Sequence, residues 1–382
     1  MAHSFDYTRA RLGIAEKCVN LNWGLVLLLG AVAAIGIAML YSAANGSWQP
    51  WAEKQAVRFA VAALIMFGAA LVDLRTWLRM AYGFYAAVAL LLIAVEVRGA
   101  VGMGAQRWID LGVIQIQPSE LMKVAAMMAL ARYFNSVTVE EIGRPHRLVV
   151  PALLILGPAV LVLKQPDLGT ALMLVLSGAA MFFLAGVRVW QFGLVVAAGL
   201  SCLPVAWHFL RDYQKNRIYT FLDPENDPLG AGYHSLQSKI AIGSGGIDGK
   251  GFLMGTQSHL NFLPERQTDF IFTMLAEEWG LIGGLVLLGL YLLIVAYGYA
   301  IAFRSRNHFG RLLALGITTN LFLYVFINTA MVMGLIPVVG VPLPLISYGG
   351  TAMLTVMFGF GLLMSVYIHR DVRIGRFGDS DE

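Results

Sequence analysis

Charged residues are scarce in this sequence. Aspartate, glutamate, lysine and arginine make up 13% of the 382 residues, whereas hydrophobic residues make up 58%. A soluble globular domain carries about 25% charged residues, so the composition excludes a water-soluble fold. Residues 312–369 contain none of the four charged residue types. The chain is therefore predicted to be an integral membrane protein.

Cysteines are also few, and internal repeats and low-complexity tracts are absent. Cys18 and Cys202 form neither a metal-binding motif nor a disulfide framework, and we interpret both as packing residues. The whole chain, 1–382, is predicted to be one membrane domain. About 20 polar residues precede the first apolar run without a clear cleavage site, which is typical of an uncleaved first span. The net charge of +4 gives no indication of a nucleic-acid partner.

Long apolar runs predict an all-α polytopic membrane protein with ten transmembrane helices. A helix that crosses the bilayer needs about 20 mostly apolar residues. A turn rich in proline and glycine at 334–347 divides the long uncharged run into the last two spans. The predicted spans lie near 21–43, 56–73, 78–97, 118–134, 148–164, 168–187, 189–209, 269–303, 310–333 and 347–369.

The distribution of lysine and arginine predicts the orientation. Fifteen of the 27 basic residues fall in the tails and short loops on one side, and short loops rich in these residues face the cytoplasm. Both tails, 1–20 and 370–382, are therefore predicted to be cytoplasmic. The long loop at 210–268, between helices 7 and 8, is then extracytoplasmic. It is too rich in glycine and charge for a compact domain, but 234–246 is predicted to form a short helix that ends at Gly243.

Ionisable residues gather at the outer ends of several spans. Such residues are functional candidates by default, because they are costly in a membrane. They come from segments far apart in the sequence, and all are predicted to lie at the outer membrane surface. The candidates are Arg107 before the fourth span, Glu120 and Lys123 at its start, Asp167 at the start of the sixth, Arg217 in the long loop and Asp269 at the start of the eighth.

Each candidate also has a purely structural interpretation. Asp167 can cap a helix N-terminus, and Glu120 and Lys123, three residues apart on one helix face, can neutralise each other. Arg107 can bind lipid phosphate without specificity, and Arg217 can solvate a loop. Taken together, however, the acids and bases suit a lipid-borne substrate, because basic residues hold phosphate and a carboxylate transfers protons.

Four further polar residues receive no role from the sequence. Glu277 and Glu278 lie two turns into the eighth span and must face protein or a water-filled cleft, where either a packing contact or chemistry explains them. His234 and His259 lack the spacing of a metal site and are interpreted as structural.

Three long motifs resemble the SEDS family of cell-wall polymerases, and within it the elongation branch (RodA) more than the division branch (FtsW). They are "DPENDPLGAGYHSLQSKIAIGSGG" (223–246), "FLPERQTDFIF" (262–272) and "VVGVPLPLISYGGTAML" (338–354). The resemblance covers nearly the whole chain, including the count of ten spans. It implies a peptidoglycan glycosyltransferase that polymerises lipid II into β-1,4-linked glycan during cell elongation, in the inner membrane of a bacterium.

The resemblance also implies roles for individual residues. The essential carboxylate of the family maps onto Asp269, a functional ion pair onto Glu120 and Lys123, and a basic position onto Arg107. Asp167 falls in a further family motif. One departure is Gln267, where many relatives have histidine, and this favours a carboxylate that acts without an adjacent imidazole.

The chemistry of the implied reaction fits these residue types. A single displacement at the anomeric carbon inverts it, and the attacking hydroxyl needs one general base, for which Asp269 is our hypothesis. The pyrophosphate leaving group needs charge stabilisation, for which Arg107, Lys123 and Arg217 are candidates, with Glu120 orienting Lys123. Asp167 is a candidate to position the acceptor or to help hold a divalent cation, Mg²⁺ or Mn²⁺, which the sequence neither requires nor excludes.

Two alternative functions follow from the same features. A lipid II flippase would carry ionisable groups near the bilayer midplane in broken helices, whereas here most lie at one edge. A non-catalytic scaffold of the elongation complex is compatible with catalysis, and the resemblance implies a class B penicillin-binding protein as partner, together with other elongation proteins. Small residues in the eighth and ninth spans suit helix packing against such a partner.

Overall fold

The structure is a computed structural model of the full chain. It describes residues 13–98, 100–102, 105–110, 115–209, 212–223, 231–260, 262–263, 265–372 and 374–375. Within these ranges the chain is almost entirely helical. The helices are α1 (Ile14–Val19), α2 (Trp23–Ala43), α3 (Ala52–Leu71), α4 (Leu74–Arg98), α5 (Pro118–Ser136), α6 (Val139–Ile142), α7 (Pro145–Lys164), α8 (Leu168–Ala185), α9 (Val189–Phe209), α10 (Asp212–Leu222), α11 (Ala231–Gly245), α12 (Thr256–His259), α13 (Ile271–Arg304), α14 (His308–Val332) and α15 (Gly350–Ile368).

A helix lies at each of the ten predicted spans. Among the described residues, eight of these helices are long and apolar enough on their own to cross a membrane. The other two are α5, which contains Glu120, Lys123 and Arg132, and α9, whose apolar part is Val189–Ser201. The prediction of an all-α polytopic membrane protein is confirmed.

The helices differ in how much of their surface the protein covers. Residues of α14 and α15 are mostly buried inside the bundle, whereas most residues of α4 are only half-buried or exposed. Lipid tails are as apolar as leucine, so the hydrophobic effect does not drive helices together inside a membrane. Close backbone contact stabilises their packing instead. At Gly361 of α15, an added Cβ would lie 2.6 Å from the carbonyl oxygen of Met66 in α3. These two helices can therefore pack so closely only with glycine at this position.

The segment at 210–268, which is predicted to be extracytoplasmic, is more helical than predicted. It contains α10, α11 and α12, and the predicted helix at 234–246 is α11, which begins earlier and ends at Gly245, not Gly243. Helix α11 docks on the bundle through Ser238, whose hydroxyl lies 2.7 Å from Thr273 Oγ1 and 2.7 Å from the carbonyl oxygen of Val332. The polar residues of this segment thus bind to the membrane helices beneath them.

A small antiparallel sheet precedes α5, and the sequence analysis did not predict it. Its strands are β1 (Ala100–Gly102), β2 (Ala105–Asp110) and β3 (Gln115–Ile116), in the order β1-β2-β3. Strand β2 carries Arg107, so the sheet fixes the position of this arginine next to the C-terminal end of α4 and the N-terminal end of α5.

Helix α13 was predicted as one span, 269–303, but it is interrupted at Gly280. This residue has φ 65° and ψ −163°, a conformation open essentially to glycine alone. Residues 246–251 enter the gap, where Lys250 N–H donates to the carbonyl oxygen of Glu277 (3.1 Å) and Gly251 N–H to that of Glu278 (2.9 Å). In return, Leu281 N–H donates to the carbonyl oxygen of Gly246 (2.9 Å). The inserted segment satisfies backbone groups that the break would leave unpaired.

Candidate active site

Asp269 lies in the turn immediately before α13 and is half-buried. The fully buried Asn328 of α14 fixes this turn, because its amide nitrogen donates to the carbonyl oxygens of Asp269 (3.0 Å) and Val341 (2.7 Å). The segment after α14 runs close to the carboxylate. A Cβ added at Gly340, where φ is +75°, would lie 3.4 Å from Asp269 Oδ2. Glycine at this position keeps the space beside the carboxylate free.

The segment 338–348 also holds the two residues before Asp269. Tyr348 N–H donates to the carbonyl oxygen of Gln267 (2.8 Å), and the Ser347 hydroxyl donates to that of Thr268 (2.6 Å). Gln55 of α3 in turn donates to the carbonyl oxygen of Ser347 (2.9 Å). Asp269 therefore rests on a backbone fixed by side chains from α3, α14 and the segment before α15.

Asp167 is brought to the other side of the same segment. It caps α8, because Oδ1 accepts from Thr170 N–H (3.1 Å) and Oδ2 from the Thr170 hydroxyl (3.0 Å). Oδ2 also accepts from the amide of Gln117 at 3.0 Å. A Cβ added at Gly169 would lie 2.5 Å from the carbonyl oxygen of Val339. The first turn of α8 and Asp269 thus both adjoin residues 339–341.

Arg107 fixes the turn that leads to Asp167. Its Nε donates to the carbonyl oxygen of Gln165 (3.0 Å) and its Nη2 to that of Pro166. Gln165 is itself tied to α4 through the carbonyl oxygen of Leu92 at 3.1 Å. A guanidinium has five N–H donors, so these two bonds leave Arg107 with further donors for a ligand.

Glu120 and Lys123 form the ion pair that their spacing suggested, with 2.6 Å between Lys123 Nζ and Glu120 Oε1. Both are buried, with 4% and 1% of their surface exposed. Tyr324 of α14 completes the cluster, because its hydroxyl donates to Glu120 Oε2 at 2.6 Å and Lys123 Nζ lies 4.3 Å from its ring centroid. Lys123 is thus enclosed by protein in this structure, and its expected contact with pyrophosphate stays a prediction.

Arg217 lies on α10, and its side chain falls outside the described part of the chain. Its expected contact with pyrophosphate therefore stays a prediction. The structure brings together Asp269, Asp167 and Arg107 around the segment 338–348. The Glu120–Lys123 pair lies in α5, and Gln117, the residue before this helix, donates to Asp167.

Comparisons with known proteins identify the family. The family model described as "Cell cycle protein" (FtsW, RodA and SpoVE) matches residues 16–372. The chain belongs to this family. Peptidoglycan glycosyltransferase MrdB of Escherichia coli K12 is 45% identical over 355 residues, which cover 92% of this chain and 95% of the relative.

Two solved structures share the fold. One is a chain of a peptidoglycan synthase complex that coordinates polymerisation and crosslinking, with a TM-score of 0.80, 34% identity and coverage of 92% of this chain and 98% of that chain. The other is rod shape-determining protein RodA of Thermus thermophilus with one aspartate replaced by alanine, with a TM-score of 0.70, 31% identity and the same coverage.

In this member of the FtsW/RodA/SpoVE family, Glu277 and Glu278 hold residues 250–259 to α13. Glu277 accepts from Lys250 Nζ (2.8 Å), from Gln257 N–H (2.9 Å) and from the Ser258 hydroxyl (2.9 Å). Glu277 is fully buried, so this set of donors replaces the water that it loses. Its role is therefore structural.

The neighbouring Glu278 links α2, α13 and α12. It accepts from the Ser42 hydroxyl (2.5 Å) and lies 3.1 Å from His259 Nε2, while His259 Nδ1 lies 2.5 Å from Asn45 Oδ1. This agrees with the structural interpretation of His259. Arg266 Nη1 donates to the carbonyl oxygen of Ser258, and burial lowers the pKa of its guanidinium. Arg266 thus positions the same segment.

The sequence analysis overlooked two residues of the site. Asn328 lies in an uncharged run of α14, and Arg58 lies in α3; neither was singled out as a candidate. Neither has a local sequence signal, because their partners are Val341 and Tyr348, which are distant in the chain.

Proposed function

We propose that this chain is a peptidoglycan glycosyltransferase that polymerises lipid II during cell elongation, with Asp269 as the general base. The enzyme class is that of its relatives, among them MrdB at 45% identity over nearly the full length of both chains. The observation that carries the site assignment is the position of Asp269, a half-buried carboxylate beside Gly340, on a backbone fixed from three elements.

In the proposed reaction, the 4-hydroxyl oxygen of the acceptor sugar attacks the anomeric carbon of the donor. The bond from this carbon to the pyrophosphate oxygen breaks as the β-glycosidic bond forms. Asp269 accepts the hydroxyl proton, and the undecaprenyl pyrophosphate leaves as an anion. A pyrophosphate needs no general acid, so one carboxylate suffices, whereas glycoside hydrolysis uses two.

The other candidate residues act around this centre. Arg107 holds the turn before Asp167 and retains donors for the pyrophosphate. Asp167 orients the start of α8 and, through Gln117, the start of α5. The Glu120–Lys123 pair is a buried ion pair in α5, next to the residues of the site. Arg217 is proposed as a further pyrophosphate ligand.

A divalent cation stays a proposal. Among the described residues there is no group of three histidine, cysteine, aspartate or glutamate side chains that would hold a metal ion alone. Mg²⁺ is usually bound by one or two carboxylates together with substrate phosphates. Asp167 is the proposed carboxylate, and a cation would compete with the three hydrogen bonds that its oxygens accept.

We place the protein in the bacterial inner membrane, with both termini in the cytoplasm and Asp269 on the periplasmic side. The positive-inside distribution of basic residues supports this orientation. A class B penicillin-binding protein is the proposed partner, and the similarity to a chain of a peptidoglycan synthase complex supports it.

One observation favours the alternative of a transporter. Discontinuous helices are typical of secondary transporters, and α13 is discontinuous at Gly280. Here, however, residues 246–251 fill the break, and Glu277 is fully hydrogen-bonded. The gap therefore offers no site for a substrate, and we rank transport below polymerisation.

The two functions are separated by reconstituting the purified protein in vesicles with fluorescent lipid II. We expect glycan polymer on a gel, with and without the cognate transpeptidase, and a parallel pair of reactions with Mg²⁺ or EDTA reports on the cation. Movement of lipid II across the bilayer without polymer, in either cation condition, would overturn the proposal.

A further inference from the structure

Arg58 is a cation next to the site that has no carboxylate partner among the described residues. It lies on α3 with its Cζ 4.5 Å from the ring centroid of Tyr348. No described acidic group lies within 4.0 Å of it, and its Nη1 is buried without a hydrogen-bond partner among the described residues. A partly buried charge without a counter-charge is unfavourable. The free protein therefore holds this guanidinium in an incompletely satisfied state.

The start of α15 adds to the positive potential around Arg58. This helix begins at Gly350, and a Cβ added there would lie 3.3 Å from Arg58 Nε. The N-cap residue, Gly349, has no side chain to cap the first turn. The N-terminus of a helix carries a partial positive charge and favours anions. An anion that contacts both the guanidinium and this helix end would be favoured by both.

Arg58 is also connected to the turn that carries Asp269. It lies almost one turn beyond Gln55, which donates to the carbonyl oxygen of Ser347. Its ring partner, Tyr348, donates to the carbonyl oxygen of Gln267, two residues before Asp269. Six residues after the start of α3, Arg58 lies about 9 Å along the helix. Arg58 and the turn that carries Asp269 are thus joined through Tyr348.

We propose that Arg58, positioned by the Tyr348 ring, binds a phosphate group of the isoprenoid pyrophosphate. This inference rests on the proposed function and adds a binding residue to the same site. A guanidinium can donate two parallel hydrogen bonds to phosphate oxygens. The contact with the Tyr348 ring orients the guanidinium group of Arg58. A phosphate group also occurs in phospholipid headgroups, so the test must separate these two sources.

The test compares Arg58→Gln and Arg58→Lys with wild type, and Arg304→Gln, which removes an exposed arginine at the other end of the bundle, is the control. Binding of undecaprenyl pyrophosphate is measured in detergent micelles, together with KM and kcat for lipid II. For Arg58→Gln we expect Kd and KM to rise on the order of tenfold with kcat within about twofold. Arg58→Lys should lie between, and Arg304→Gln should match wild type.

Repeating the binding measurement with excess phosphatidylglycerol distinguishes the sources of phosphate. The inference requires that phosphatidylglycerol competes weakly and equally in wild type and Arg58→Gln. An unchanged Kd and KM in folded Arg58→Gln, or a loss of phosphatidylglycerol binding alone, would overturn it.

If Arg58→Gln does not fold, the variants Tyr348→Phe and Tyr348→Leu test the inference instead. The first keeps the ring and should bind normally, whereas the second should bind undecaprenyl pyrophosphate more weakly; equal binding would count against the inference. Failure of the proposed function has a different signature, since wild type would then bind the pyrophosphate but make no polymer.

Discussion

The buried cluster of Glu120, Lys123 and Tyr324 affects the stability of the apolar helix bundle. Desolvating an ion pair costs about as much as the pair gains, so the cluster is not a simple source of stability. Removing one partner, however, leaves the other charge buried and uncompensated. We therefore expect single substitutions in the cluster to lower the stability, and the loss of a charge to lower it more than the loss of a hydrogen bond.

We predict that Lys123→Met destabilises the protein by about 3–5 kcal/mol and Tyr324→Phe by about 1–3 kcal/mol. The lysine variant leaves the Glu120 carboxylate unpaired, whereas the tyrosine variant removes one hydrogen bond to it. Chemical unfolding in detergent micelles measures both. Tyr219→Phe, at a side chain that is 55% exposed, is the control and should be neutral. Equal losses in the two cluster variants, or none, would contradict the ranking.

At this scale the sequence predicts contacts between near neighbours and misses those between distant residues. The spacing of three residues indicated the Glu120–Lys123 pair, and the capping interpretation of Asp167 is confirmed by its bonds to Thr170. The sequence gives no sign that Tyr324, 204 positions away, completes the first cluster. Which buried donor meets which acceptor depends on helix packing, and hydropathy does not encode it.

Among the elements, α13 differs most from its predicted form. An apolar run with an internal glycine looks like an ordinary span, because glycine is common in transmembrane helices. The break at Gly280 becomes visible only when residues 246–251 are seen to supply its hydrogen bonds. The short β strands and α10 were missed for a related reason, since their few residues have no clear periodicity.

We predict that Gly280→Ala destabilises the protein by more than about 1 kcal/mol, because alanine is strained at this backbone conformation. Its Cβ would also lie 2.3 Å from Gly249 N. Gly289→Ala in the same helix is a matched control with no atom within 4 Å of the added Cβ. There alanine should be neutral or stabilise the helix by up to about 1 kcal/mol. Thermal unfolding of both variants checks the prediction, which fails if they shift in the same direction.

For the whole molecule, the scarcity of charge and the lengths of the apolar runs were enough to predict the membrane fold and the positions of its helices. They did not determine which helices are central. Burial of α14 and α15 follows from packing against several neighbours, including the close approach of α3 at Gly361. The convergence of Asp269, Asp167 and Arg107 is likewise a property of the tertiary fold.

The orientation of the molecule leads to a prediction for whole cells. In a functional variant with Cys18 and Cys202 replaced by serine, Ser47→Cys should react with a membrane-impermeant maleimide, because residue 47 is exposed between α2 and α3 on the proposed periplasmic side. Arg306→Cys, exposed between α13 and α14, should react only after the cells are permeabilised. The reverse pattern would place Asp269 in the cytoplasm and exclude the proposed reaction with periplasmic substrate.

The role of Asp269 as general base is tested most directly by the single-turnover rate of glycosidic bond formation from lipid II. For Asp269→Asn we predict a fall of about 10²–10⁴-fold, with undecaprenyl pyrophosphate bound as in wild type and the protein folded. Asp371→Asn, which removes an exposed aspartate at the end of α15, should leave the rate unchanged. A folded Asp269→Asn enzyme that forms the glycosidic bond at the wild-type rate would contradict the mechanism.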